Sequence, residues 1–262
     1  MKKTSCFQPL FLFILTFSAL AASDLPAWSE VNKSRNNMPM VSIDVKLDME
    51  NRRIRGKASM ELPEGKPVCI NTGKVKLDRV TLEGQTINPF IEDDSFSVSA
   101  FHKKRLLKIQ FHRDFPPMGT GIDGKNAHTM TDDFIDTEGV VLLDGWCPTL
   151  QGLARYELKA SVPAEFKAVS EADAVKTEYR GETGIHVFEF PHARTGLSLV
   201  AGPYQVSTQL HKGIEIAAYF FPEDQKLARK YIDKSIQYLD LYEVLLGPYP
   251  FRRFAIVENR AP

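Results

Sequence analysis

From Val41 to Met49 every second residue is apolar: Val41, Ile43, Val45, Leu47 and Met49, with Ser42, Asp44, Lys46 and Asp48 between them. A period of two places the two sets on opposite faces of an extended chain, so this segment is restricted to a half-buried strand. The polar run Glu50-Asn51-Arg52-Arg53 can turn the chain, and Ala58, Met60 and Leu62 then resume the alternation, which predicts a hairpin. Strand-like segments follow at 75–82, 95–100, 107–111, 156–162, 186–190 and 197–206, and no long helical period precedes residue 220. The first 200 residues are therefore expected to be mainly β, an antiparallel domain.

The pattern changes near Gly213. The segment GIEIAAYFF (213–221) is almost wholly apolar, as expected of a strand covered on both faces. A helix is expected from about 223 to 246, with Leu227, Tyr231, Ile232, Ser235, Tyr238, Leu239, Tyr242, Leu245 and Leu246 along one face. Glu223 and Asp224 suit its positive end, and Gly247-Pro248 supplies a stop. Phe254–Val257 then reads as another buried strand. Strand, helix, strand is the opening of an α/β unit, so a second domain is expected over 205–262, after a β domain over 40–204, and it reads as unfinished at Pro262.

The N-terminus reads as an export signal. Lys2 and Lys3 precede an apolar run, and Ala19-Leu20-Ala21 fits an A-x-A cleavage site, giving residues 1–21 as signal peptide and 22–39 as a leader. The apolar stretch, about 13 residues, is short of the roughly 20 that span a bilayer, so no stable membrane span is expected and the mature chain is assigned to a periplasmic or secreted compartment. Cleavage would leave Cys69 and Cys147. In an oxidising compartment these could pair or remain two thiols; nothing in the sequence fixes their separation. Lys+Arg and Asp+Glu balance at 33 each, so no basic field favours nucleic acid as a partner.

The sequence holds no assembled chemistry. None of His102, His112, His128, His186, His192 and His211 is followed by Glu, and no two stand at i and i+4, so the His-Glu-x-x-His zinc pattern is absent. There is no Gly-x-Ser-x-Gly elbow, phosphate-cradling loop or Cys-x-x-Cys pair. The long stretch 116–139 carries Asp123, Asp132, Asp133, Asp136 and Glu138, but their spacing is not that of an EF-hand, and the segment reads as a solvated loop. No catalytic residue, metal ligand or cofactor is assigned.

The order of features does carry a resemblance. GIEIAAYFFPED, the helix containing YIDKSIQYLDLYEVL, and LGPYPFRRFAIVEN resemble the junction between the saddle-like β domain and the thermolysin-like catalytic domain of the M1 family of zinc metallopeptidases, to which aminopeptidase N belongs. VFEFPHARTGLSLVAGPYQV is similar to the exit from that β domain, and GVVLLDGWCPTL to the family's Trp-Tyr-Pro segment, with Cys147 in place of the aromatic. The family's Asp-Glu-Pro is replaced by TLQGLARYEL, which suggests a divergent bacterial branch. Glu258-Asn259 invites comparison with the Gly-x-Met-Glu-Asn motif that holds a substrate's free amine, but Ile256-Val257 stand before it. Both residues are kept as substrate-binding candidates beside the plainer reading of a strand-end pair.

The resemblance implies the N-terminal portion of an exported M1-like aminopeptidase. Zinc and the peptide substrate would belong to the complete enzyme, and this chain would not be catalytic by itself. The alternatives are a non-catalytic exported β-rich binding or scaffold module, or part of an inactive pseudoenzyme.

Overall fold

The alternating segment forms β1 (Met40–Asp48), which pairs antiparallel with β2 (Arg53–Leu62) in the expected hairpin. Its five apolar residues are all buried. Asp48 Oδ1 accepts the Asn51 backbone N–H at 3.1 Å and holds the turn. Gly56, in β2, has room for no side chain: a Cβ would stand 2.5 Å from the Phe111 ring and 2.8 Å from Val45. The structure is a computed structural model that describes residues 38–117 and 133–259. The expected signal peptide, nearly all of the leader, Asp123, His128 and Asp132 lie outside the described residues.

On one side of the hairpin β2 pairs with β7 (Arg105–Asp114), β7 with β4 (Lys76–Leu82), and β4 with β5 (Gln85–Ile87). On the other, β1 pairs with β11 (Arg155–Pro163), β11 with β14 (Thr183–Glu189), and β14 with β13 (Ala174–Arg180). This eight-stranded sheet is antiparallel except at β1–β11, which run parallel. The antiparallel expectation is corrected there because parallel neighbours need a long crossover, and residues 63–154 provide one.

Two smaller sheets lie within that excursion and after it. One orders β10 (Thr149–Leu150), β3 (Val68–Asn71) and β6 (Ser95–Val98). The other orders β12 (Lys167–Val169), β15 (Leu199–Gly202), β9 (Val140–Leu142) and β8 (Phe134–Ile135). Their inward residues, including Ile70, Phe96, Leu142 and Leu199, share one core with the large sheet. Part of the expected loop 116–139 is therefore structured. Asp133 Oδ2 pairs with Arg113 Nη1 at 2.6 Å while Oδ1 accepts the Leu143 N–H at 2.6 Å, and Asp136 caps the turn before β9.

Residues 197–206, expected as one strand, are two. β15 ends at Gly202, and β16 (Gln205–His211) starts in a different sheet. Pro203, between them, has no N–H to continue the ladder. β16 pairs antiparallel with β17 (Ile214–Phe220), which pairs parallel with β18 (Arg253–Val257). β17 is covered on both faces. Ile214, Ile216, Ala218 and Phe220 meet Ala228, Ile232 and Leu239 of helix α1 (Ala228–Leu246), whereas Ala217 and Tyr219 pack with Val169 and Val200.

The helical segment differs from expectation in two ways. Its first turn, Pro222–Leu227, is 3-10, because Phe221 enters extended and offers no side-chain cap. The apolar face is also wider than one contact. Ala228, Ile232 and Leu239 dock, but Tyr231, Tyr238, Tyr242 and Leu245, about 100° further round at 3.6 residues per turn, are exposed. Asp240 fixes the docked side by accepting from His211 Nε2 at 2.8 Å and Lys212 Nζ at 2.6 Å. Those two bonds hold its carboxyl below the usual range. No helix among the described residues is long and apolar enough to cross a membrane.

Candidate binding groove

A cavity of about 540 Å³ opens between β18 and the β12–β15 pair. Alternation along β18 decides its floor. Phe254 and Ile256 turn toward α1, so Arg253, Ala255 and Val257 face the opposite layer, where Val169 and Val200 form the far wall. Tyr249 and Phe251 close one end, with His192 set edge-on to Phe251 at 5.3 Å. Burial, with the Asp173 carboxylate nearby, pushes the Tyr249 phenol up.

The polar rim is built by Glu171. Ser198 donates to it through its hydroxyl and, at 3.2 Å, through its backbone N–H. Arg194 Nη2 stands 3.5 Å from Glu171 Oε2, while Nη1 donates to the Glu171 carbonyl at 2.9 Å. The Arg194 guanidinium also lies over the Phe190 ring, 5.3 Å from its centre. Behind Glu171 a second, more polar cavity of about 490 Å³ reaches Trp146 and Cys147. Trp146 is pinned by its indole N–H, which donates to the Leu197 carbonyl at 2.6 Å.

At the floor, Arg253 is 7% exposed. Its Nη2 donates to the Tyr219 hydroxyl and its charge sits over the Tyr219 ring at 5.5 Å. Nε lies 3.3 Å from Glu215 Oε1, an ion pair not aligned as a hydrogen bond, and among the described residues neither Nε nor Nη1 has a hydrogen-bond partner. Burial pushes the Tyr219 phenol up.

The residues singled out in the sequence lie elsewhere or are otherwise engaged. Glu258 uses Oε2 to accept the Phe221 N–H at 2.7 Å, its own N–H donates to Tyr219 O at 2.9 Å, and its carbonyl accepts from the Tyr204 hydroxyl at 3.0 Å. Asn259 is exposed. Cys69 and Cys147 are both free thiols. Cys147 is in the core with Ile70, whereas strand alternation puts Cys69 on the face of β3 opposite Ile70. Burial raises the Cys147 thiol far above its ordinary range, the character of an inert core cysteine.

His112 Nδ1 meets Asp78 at 2.6 Å, His211 serves α1, and His186 is buried against Thr177. Among the described residues no three His, Cys, Asp or Glu side chains converge to hold a metal ion. What the groove can do is bind: an apolar trough with an arginine in its floor and carboxylates on its rim.

No motif joins Glu171, Arg194, Ser198 and Arg253 in the sequence, because they come from separated loops and strands. The one available signal was local. Arg253 shares the parity of Ala255 and Val257, and so faces the inner layer, whereas the adjacent Arg252 is exposed.

This mainly β architecture, with a strand-helix-strand unit appended, matches the N-terminal β region of M1 metallopeptidases. It superposes on an M1 zinc metallopeptidase from Deinococcus radiodurans, a mutant bound to the substrate Tyr-Ser-Ala, with a TM-score of 0.62 at 12% identity. The match covers 84% of this chain and 56% of that one. Another structure of the Deinococcus enzyme gives a TM-score of 0.61, and a two-domain M1 zinc metallopeptidase mutant bound to L-tryptophan gives 0.60, both at 12% identity and the same coverage. The chain thus spans about half the length of these proteins, and at this identity the likeness is one of fold. No protein-family profile matches the sequence, and no curated protein is significantly similar to it.

Proposed function

We propose that this chain is the N-terminal portion of an exported M1-like zinc metallopeptidase, an aminopeptidase, and that it does not hydrolyse peptides by itself. It contributes the β domain and the first strand-helix-strand of the catalytic domain; zinc and the activated water belong to the remainder of the enzyme. The observation that carries this reading is the fold likeness, which covers 84% of this chain.

The open side of α1 supports it. Tyr238 is 58% exposed, Leu245 66% and Leu246 83%, an apolar surface of the kind that marks contact with another body. A larger enzyme in which α1 is internal would cover it. Export rests on the signal-like N-terminus, and peptide as substrate rests on what the structural neighbours bind.

Reading the coding DNA past Pro262 tests the proposal. An in-frame His-Glu-x-x-His downstream is the expected result. A stop codon at once, with no such motif in any frame, would overturn it and leave the non-catalytic binding module. Finding homologous sequence without the zinc ligands would replace it with a pseudoenzyme scaffold.

A further inference from the structure

The groove floor contains a hydrogen-bonding demand that the described residues do not meet. A buried guanidinium with unpartnered nitrogens is costly, and native proteins rarely leave one without a reason. Arg253 has two such nitrogens, and its one nearby counter-charge, Glu215, is 52% exposed and misaligned. Arg253 also lines a cavity whose walls are otherwise largely apolar: Val169, Val200, Ala255 and Val257. Glu171, on the same cavity, is already taken by Arg194 and Ser198. Asp173 also lines it, and its carboxylate has no hydrogen-bond partner among the described residues.

We infer that this groove binds the carboxylate end of an N-acylated apolar amino acid, either as a small molecule or as the C-terminal residue of a polypeptide. The carboxylate meets Arg253, the amide N–H is offered to Asp173, and the apolar side chain lies along Val169, Val200 and Ala255. Anion, donor and apolar body then match the three kinds of surface the cavity presents. A volume of about 540 Å³ lies within the range of small-ligand pockets. Arginine suits the role because its planar fork recognises carboxylates in two-point fashion. Binding requires the guanidinium to turn from Glu215 toward the cavity, because Nε and Nη1 are enclosed where they now lie. The inference is argued from residues of this chain alone.

The test is calorimetric titration of the 262-residue chain with N-acetyl-L-phenylalanine and with N-acetyl-Ala-Ala-Phe, each against its C-terminal amide. Both acids should bind, and each amide should bind at least about tenfold more weakly, since a hydrogen bond to a charged partner is lost. Tighter binding of the tripeptide than of the single residue points to a polypeptide C-terminus, and equal binding points to a small molecule. Arg253→Met should erase the difference between acid and amide. Should that variant not fold, Ala255→Leu, which fills the trough from an exposed strand position, should block both acids while leaving the unfolding midpoint unchanged. Acid and amide binding equally, binding that survives Ala255→Leu, or no binding of either acid would each overturn the inference.

Discussion

Glu258 Oε2 accepts the backbone N–H of Phe221 at 2.7 Å, tying the end of β18 to the point where β17 gives way to the 3-10 turn. The carboxylate that most resembled a substrate-amine ligand thus holds together two ends of one sheet. Replacing Glu258 with Ala removes that acceptor from a part-buried amide. The expected cost is about 1–3 kcal/mol, and Glu258→Gln, which keeps an acceptor oxygen, should cost less. Urea unfolding followed by circular dichroism measures both; an unchanged midpoint for Glu258→Ala would contradict the structural role.

Asp133 offers a sharper case. Its side chain is 2% exposed, pairs with Arg113 Nη1 at 2.6 Å and accepts the Leu143 N–H at 2.6 Å. Asp133→Ala leaves a poorly solvated guanidinium and an amide without this acceptor, and should destabilise by about 3–5 kcal/mol. Asp133→Asn should fall between this and wild type. Equilibrium denaturation decides it, and a loss under about 1 kcal/mol would show that the pair adds little.

His186 gives the fold a pH dependence. It is buried in β14, with Nδ1 3.0 Å from Thr177 Oγ1, and burial, with Lys167 nearby, lowers its pKa from 6.5 to about 4. The folded state therefore keeps it neutral while the unfolded chain takes up a proton. Its contribution is fully present above pH 6.5 and is lost as pH falls toward 4, on the order of 1–2 kcal/mol by pH 5. His186→Gln should flatten the stability profile between pH 6.5 and 4.5. An identical slope in wild type and variant would contradict this assignment.

The exposed side of α1 should be replaceable without loss of fold. Tyr238→Glu combined with Leu245→Glu touches positions 58% and 66% exposed, so the unfolding free energy should stay within about 0.5 kcal/mol of wild type. Binding of an apolar dye to the folded chain should fall. A large loss of stability would mean that this surface is already engaged within the chain.

Much of the architecture was legible because burial and periodicity coincide. The β1–β2 hairpin follows from its alternation, and β17 from an apolar run that two layers cover. β13 escaped notice because it is an edge strand, exposed at nearly every position, with no pattern to display. The 197–206 segment looked continuous because both of its halves are extended; only Pro203 marks where the chain changes sheets. Periodicity gives α1 one apolar face because it reports hydrophobicity, not which part of it finds a partner. The groove was invisible for a related reason. Glu171, Arg194 and Arg253 meet through tertiary packing, and no spacing encodes it.

The proposed function makes this chain an M1-type framework whose zinc chemistry lies in the remainder of the enzyme. Assaying the purified chain for zinc content and for hydrolysis of an aminoacyl amide, with and without chelator, tests it most directly. Substoichiometric zinc and no chelator-sensitive hydrolysis are the expected results. One zinc held per chain, together with hydrolysis that chelation abolishes, would contradict it.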